Sequence, residues 1–388
     1  NAKLYLAPVI ELYHHMVRSG QYDEAFELFR DRLHDLTYFQ LGAYQLQIDL
    51  LLALFPKGEN DLPQLTSESD QAWMLNSLAN SYSLSGQPRK AVPLFEQSVA
   101  IHEKLEDKIN LAITLGNLAC IAQLPIGSLQ AAESNLRRAI ALCQEIEEEY
   151  DEAIGHKELG RVLTYRGEWA EAEAELSIAL ALFEKEKNIP SQGLVWAYRA
   201  LRSLLLLRTL TNQTQRHPEI ATALAAAKRA LELAEETAHT EFPYAQYFIQ
   251  AYWLLGAAER VNGNLNESDT HLNEALTRCR AINLVYHEAD ILLDLARLRV
   301  EQNQQDIALE LAQEALAITE RCGYVLQGAD VHLFLAEQAR LQNKRDEALR
   351  YAREARRLAT CDGGKYTYKV AYNEAAALLR LLGESYYA

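Results

Sequence analysis

Helix breakers, paired cysteines, long apolar runs and positive charge are all scarce in this chain of 388 residues. Nine prolines and 17 glycines leave long stretches free for helix, and the composition is rich in Ala, Leu, Glu and Arg, the strong helix formers. The five cysteines (Cys120, Cys143, Cys279, Cys322, Cys361) lie far apart, with no C-x-x-C pair. Zinc and redox spacings are therefore missing, and the expectation is buried free thiols in a reducing cytoplasm. No run reaches the roughly 18 apolar residues of a membrane span. The apolar stretch Ser203–Leu207 is bracketed by Arg202 and Arg208. A signal segment, charged and then apolar, is missing at the start. Basic residues number 38 against 54 acidic, a formal charge of −16, which argues against a general nucleic-acid binder. The chain begins at Asn1 without Met, so we expect a fragment of something longer.

Motifs for chemistry are equally thin. A phosphate loop needs G-x-x-x-x-G-K-[ST]; the nearest string, Cys361-Asp-Gly-Gly-Lys-Tyr366, ends in Tyr and has Ala359 where the first Gly belongs. His14-His15 and His287-Glu288 lack the spacing of a metalloprotease helix. The carboxylates of Glu145–Asp151 suit a solvated helix end. The chain is expected to be no enzyme, with no cofactor and no metal.

What is abundant is a ladder of small residues. Pairs seven apart recur as Ala91/Ser98, Ala132/Ala139, Ala172/Ala179, Ala223/Ala230, Ser268/Ala275, Ala308/Ala315 and Ala348/Ala355. Most are preceded, twelve positions earlier, by another small residue: Ala79, Gly160, Gly256, Ala296 or Ala336. From the second member of a pair to the next leading small residue is 21, which closes a unit of 40. Two antiparallel helices approach at the short end of about 8–10 Å only where the crossing residues are small. Gly or Asn (Gly86, Gly167, Gly263, Asn303, Asn343) follows the leading small residue by seven and can end the first helix in the left-handed conformation. The fold expected is an all-α, right-handed α-solenoid of antiparallel helix hairpins.

The ladder divides the chain. Residues 1–69 form a hairpin around Gly20–Ala25, an irregular helix near Phe39–Leu54 and a loop over Pro56–Ser69. Residues 70–362 form the regular array, and 363–388 a capping helix placed by Ala376, 21 beyond Ala355. The spacing stretches by eleven positions at 209–219 and by five around Thr237–Pro243.

Gln87-Pro-Arg-Lys-Ala-Val-Pro-Leu-Phe95 and Gly167-Glu-Trp-Ala-Glu-Ala172 carry a resemblance to the tetratricopeptide repeat (TPR). The unit found here is longer than that family's usual one of about 34 residues. The resemblance implies that the first helices of successive units line a concave groove, which binds protein or peptide. Counting from the leading small residue, the groove positions fall six and three before it, then one and four after it, on one helix face. The basic ones are Lys157, Arg161, Arg260, Arg297 and Arg340; the acidic ones are Asp290, Asp330 and Glu337. Such a groove is less acidic than its surroundings, and an anionic or polar ligand such as an acidic peptide segment is expected. Trp73, Asn76, Asn80, Gln250 and Trp253 share the face. Arg199 stands where other units carry a core Leu, so it is either paired in the interior or turned to the groove with Trp196 and Arg202.

Asp70–Pro88 and Ser19–Phe29 resemble the C-terminal sensor region of bacterial signal-transducing NTPases with numerous domains (STAND proteins, of NB-ARC or NACHT type). That likeness implies a cytoplasmic sensor whose second partner is the NTPase part of the same polypeptide. The alternatives are a stand-alone peptide-responsive regulator and a passive scaffold or adaptor. Neither nucleic acid nor membrane is expected as a partner.

Overall fold

The computed structural model describes residues 2–58, 61–237 and 245–384. The chain is all-helical: α1 (Ala2–Arg18) and α2 (Tyr22–Leu28) are followed by π-helical turns at Phe29–Leu33 and Leu36–Gln40, then α3 (Tyr44–Leu52). Seven hairpins come next. They are α4/α5 (Glu68–Leu84, Pro88–Lys104), α6/α7 (Lys108–Asn117, continued by a π-helical turn at Leu118–Gln123, then Leu129–Glu145) and α8/α9 (Glu149–Arg166, Trp169–Lys185). After them stand α10/α11 (Ile189–Thr209, Gln213–Glu236), α12/α13 (Ala245–Val261, Leu265–Ala281), α14/α15 (Val285–Glu301, Gln305–Cys322) and α16/α17 (Val325–Leu341, Arg345–Ala359). A single helix, α18 (Lys369–Leu381), ends the described array.

Local chemistry sets the ends. Side-chain oxygens of Ser67, Asp107, Asn188 and Asn212 accept the backbone N–H of Asp70, Asn110, Ser191 and Thr214 at 2.9–3.2 Å, which satisfies donors that a helix start leaves orphaned. Gly167 and Gly323 close α8 and α15 at φ of 75° and 71°. Asn303 and Asn343 do the same after α14 and α16, at φ of 61° and 59°.

Between the helices, the small-residue ladder is the contact itself. Ala91, Ala132, Ala172, Ala308 and Ala348 are fully buried. A Cβ on Gly160 would fall 2.7 Å from Cγ of Leu176, and one on Gly256 equally close to Cγ of Leu272. These two crossings admit Gly alone without a shift of the facing Leu, where other units seat Ala.

The array coils far enough to meet itself. The turn at Gly42 abuts Ile282, that at Gly86 abuts Cys322, that at Gly127 abuts Val325 and Cys361, and that at Gly167 abuts Lys369. Each partner lies five to six units further along the chain. Hydrogen bonds tie the layers: Val325 N donates to Pro125 O at 2.8 Å, and Arg166 Nε to Lys365 O at 3.0 Å. The Asp362 carboxylate accepts Gln130 N at 2.8 Å and so caps α7 from across the superhelix. The loop that partly mimics a phosphate loop is thus a clasp, closed by the Gly363–Tyr366 bridge, with Arg166 stacked 4.9 Å over the Tyr366 ring.

Two stretches depart from sequence expectation. The extra residues at 209–219 form almost no loop: they lengthen α10 to Thr209 and start α11 at Gln213, with Pro218 inside the helix at its sixth residue, where it removes the N–H that would bond to the carbonyl of Thr214. The helix expected near Phe39–Leu54 breaks at Leu41–Ala43, where Gly42 takes φ of 57° against Ile282. Most of the second stretch, expected at Thr237–Pro243, lies outside the described residues. No described helix is long and apolar enough to cross a membrane.

Candidate functional site

The first helices of the units, α8, α10, α12, α14 and α16, turn their inner faces toward the axis, and α18 closes the far side. They line a cavity of about 630 Å³ that is partly open to solvent. Its apolar wall is built from Leu201, Leu204 and Leu205 on α10, Leu254 and Val261 on α12, Leu293 on α14, Leu333 and Phe334 on α16, and Leu378 and Leu381 on α18. Set into it are Arg208, Arg216, Arg260, Arg297, Asp290, Asp294, Asp330, Glu337, Glu374, Trp253, Tyr165 and Tyr368. A large apolar hollow with a few convergent polar groups is the usual form of a ligand site.

Most of the charges are already matched. Arg208 Nη2 lies 2.7 Å from Asp330 and 2.6 Å from Glu374, while its Nη1 donates to the Tyr368 hydroxyl at 3.1 Å. Tyr368 in turn donates to Asp330 at 2.8 Å. Asp294 accepts the indole N–H of Trp253 at 2.8 Å and Arg297 at 2.9 Å. Arg260 reaches Glu301 at 2.6 Å and Asp294 at 3.8 Å. Burial alone would raise the Asp330 carboxyl, but Arg208 and Arg297 outweigh it and hold Asp330 below the usual range. Asp290 is the opposite case: burial, reinforced by Asp330 and Asp294, pushes its carboxyl well up.

Beside the cavity runs a second polar cluster on α8. Arg161 pairs with Glu158 at 2.7 Å, donates to Cys120 O at 3.1 Å and lies 5.2 Å over the Tyr198 ring. Lys157 is 3.2 Å from Glu158, and the Tyr198 hydroxyl donates to the same carboxylate at 3.1 Å. Burial works against the Glu158 charge, yet Arg161 and Lys157 keep its carboxyl below the usual range. Next to it His287 is held neutral, pushed down to about 3 by burial and by the Arg161 charge.

The structure thus brings Trp253, Arg260 and Arg297, with the acidic groove positions Asp290, Asp330 and Glu337, into the cavity wall and leaves the other basic, aromatic and amide candidates elsewhere. Lys157 and Arg161 are buried in the α8 cluster. Arg340 is paired with Glu337 at 2.7 Å and stands outside the wall. Trp196, Arg199 and Arg202 do not face the cavity. Arg199 stacks 4.7 Å over Trp196 and pairs with Glu173 on α9 at 2.8 Å, and Arg202 donates to Trp169 O at 2.9 Å. The charge at Arg199 is therefore paired within the fold. Trp73 packs edge-on against Phe26 and His34, with ring centres 5.4 and 5.0 Å apart. Asn76 accepts a hydrogen bond from Asn117 at 3.2 Å, and Asn80 is half-buried on the same helix.

The expected basic excess is also corrected: the cavity holds four arginines and five carboxylates, because Lys157, Arg161 and Arg340 lie outside its wall, while Arg208, Arg216, Asp294 and Glu374, which the register count omitted, lie in it. Sequence reasoning missed Arg208, Asp294, Tyr368 and Glu374. Asp294 had a legible signal in its position two residues before Ala296, where an acid interrupts apolar neighbours.

No group of His, Cys, Asp or Glu among the described residues is arranged to hold a metal ion. All five cysteines are free, and burial pushes the Cys143 and Cys361 thiols up to about 12, which removes thiolate reactivity.

Comparison with known proteins agrees with this architecture. The family model described as tetratricopeptide repeat matches residues 70–145 and 247–321. Among solved structures, a Rap protein complexed with Competence and Sporulation Factor is similar at 14% identity and a TM-score of 0.57, over 92% of this chain and 98% of that one. The apo form of RapI is similar at 14% identity and a TM-score of 0.51, over 74% and 98%. A STAND protein with a tetratricopeptide repeat sensor, from Pyrococcus horikoshii, gives 15% identity and a TM-score of 0.42, over 88% of this chain and 50% of that one. No match was found among curated protein sequences. The small-residue ladder, the stacked hairpins and the two matched segments converge: this chain is an all-α solenoid of helix hairpins that matches the tetratricopeptide repeat over residues 70–145 and 247–321.

Proposed function

We propose that this chain is a peptide-sensing TPR module, and that the cavity inside its superhelix receives the ligand. The observation that carries this reading is the apolar hollow of about 630 Å³, within the range that holds a small ligand or a few peptide residues. The fold shared with a Rap protein that was solved with a bound factor supports it. A passive scaffold would need no such charge-lined interior. The reading assigns the chain no catalytic step. Its finer form, a sensor that releases the NTPase part of a larger signalling protein, rests on the sequence resemblance of Asp70–Pro88 and is tested by the full-length gene. A phosphate loop upstream of Asn1 favours it, and a start a few residues before Asn1 favours the stand-alone regulator.

The test is selection of short peptides from a display library by the purified chain and by Ala257→Trp, which fills the wall between Trp253 and Val261. A peptide class enriched by the parent chain and lost in the variant is the expected result. Enrichment unaffected by the filled cavity, or recovery of nucleic acid in place of peptide, would overturn the reading.

A further inference from the structure

The charges around the cavity do not cancel uniformly, and the remainder has a sign and a place. Arg208, Arg260 and Arg297 each hold a carboxylate within 2.9 Å. Arg216 is spent on the end of α10, its Nη1 donating to Leu207 O at 2.6 Å and Leu210 O at 3.0 Å. Asp294, Asp330, Glu337 and Glu374 each hold an arginine. Asp290 does not. Its carboxylate accepts one neutral hydrogen bond, from the Gln327 amide at 3.2 Å, and forms no ion pair among the described residues.

Resting on the peptide-sensing reading, we propose that the cavity takes the cationic group of its ligand, an ammonium or guanidinium with apolar neighbours, and that Asp290 is the carboxylate that receives it. An ionised carboxylate has about four acceptor positions, and one is filled here. Asp290 is half-buried in the wall, where a carboxylate without a counter-charge is less well solvated than in water, and an arriving cation offsets that through a charge-assisted hydrogen bond. Burial of Asp290 between Asp330 and Asp294, which holds its carboxyl well above the ordinary range, marks the same shortage of positive charge. An anionic ligand meets the reverse situation, since no arginine in the wall is free of a protein acceptor. The leucines of α10, α16 and α18 supply the surface for the apolar neighbours. Two sources present this chemistry, a Lys or Arg side chain and a free peptide amino terminus.

The first experiment uses small probes, so that it does not depend on knowing the peptide. Binding of hexylammonium and hexylguanidinium to the full chain is measured by calorimetry against hexanoate and hexanol, and repeated with Asp290→Asn. The expected result is at least tenfold tighter binding of the two cations than of hexanoate, with the preference lost in Asp290→Asn while hexanol binding is retained. Equal or tighter binding of hexanoate by the parent chain, or a cation preference that survives Asp290→Asn, would overturn the proposal. The comparison of cations with hexanoate stands even where the variant fails to fold.

In a second arm, pentapeptides Leu-Leu-X-Leu-Leu with X as Lys, Arg, Gln or Glu are compared with acetylated and with free amino termini. A preference for X as Lys or Arg assigns the side chain, and one confined to the free terminus assigns the amine. Peptides that bind without regard to charge would overturn the role of Asp290 and leave peptide sensing intact. Alkyl cations that bind where no peptide does would sustain Asp290 and overturn peptide sensing.

Discussion

Gly127 sits so close to Val325 that a Cβ there would fall 2.7 Å from Val325 Cγ1. Gly263 occupies the equivalent turn three units further along, at a similar φ (88° against 78°), with nothing within 4 Å. Both glycines adopt a left-handed backbone, so Ala strains both; at Gly127 it also wedges the layers apart against a side chain that is stiff at χ1. Gly127→Ala is expected to cost about 1–3 kcal/mol more than Gly263→Ala, measured by urea denaturation. Equal costs would remove the layer contact from the account.

The hairpin register is tested on α9. Ala172 is fully buried at the crossing with α8, whereas Ala174 on the same helix and Glu171 beside it are exposed. Ala172→Leu overpacks the contact and should cost about 1–3 kcal/mol, while Glu171→Leu should stay within about 0.5 kcal/mol. The pair of denaturation midpoints decides it.

The turns between units carry non-glycine residues in the left-handed region: Glu106, Glu147 and Lys187 at φ of 54°, 59° and 55°. Such a residue costs about 1–2 kcal/mol, offset in part by the extra freedom glycine gives the unfolded chain. Glu147→Gly is therefore predicted to stabilise the fold by about 0.5–1 kcal/mol. A lower melting temperature would contradict the strain.

The acid response follows from His287, which the fold keeps neutral with its pKa lowered from 6.5 to about 3. Between those values the unfolded chain binds the extra proton, so stability rises with pH across the window and is lost as pH falls below 6.5. His102, His271 and His332, each lowered by burial, act in the same direction. Asp290, whose pKa is raised, acts oppositely, its contribution fading as pH rises. Replacing His287 by Gln should flatten the slope of stability against pH between about 6.5 and about 4.5 without abolishing it. An unchanged slope would show that His287 is protonated in the fold.

Arg208 links α10 to α16 and α18 through Asp330 and Glu374. Arg208→Met leaves two acids facing the cavity without their cation, and loss of one partner of a buried pair costs about 3–5 kcal/mol. With both carboxylates partly solvated, about 2–3 kcal/mol is expected, and Asp330 should titrate higher by NMR. An unshifted Asp330 would exclude Arg208 as the group that holds it down.

The solenoid was legible because packing writes it directly into the chain: a crossing that tolerates only small residues (Gly, Ala or Ser) leaves a mark in most repeat units. The same register leads to Trp253, Arg260 and Arg297, which lie one helix face away from the ladder. It fails at Arg208, which sits in the helical extension of α10 hidden by the stretched spacing. It fails too at Tyr368 and Glu374, which reach the cavity only through the accumulated rotation of the whole array. Gly86, Gly127 and Gly167 touch the next layer, whereas Asn303 and Asn343 stand in the last units, beyond which the described array ends. Counting groove charges misled, because the count could not show that each arginine already has an acceptor.

The most direct test of the account is hydrogen–deuterium exchange on the full chain with and without a selected peptide. Protection is predicted on the inner faces around 201–208, 254–261, 290–297, 330–337 and 374–381, the segments that build the cavity. Protection confined to the outer helices α9, α11, α13, α15 and α17, with none on those segments, would contradict it.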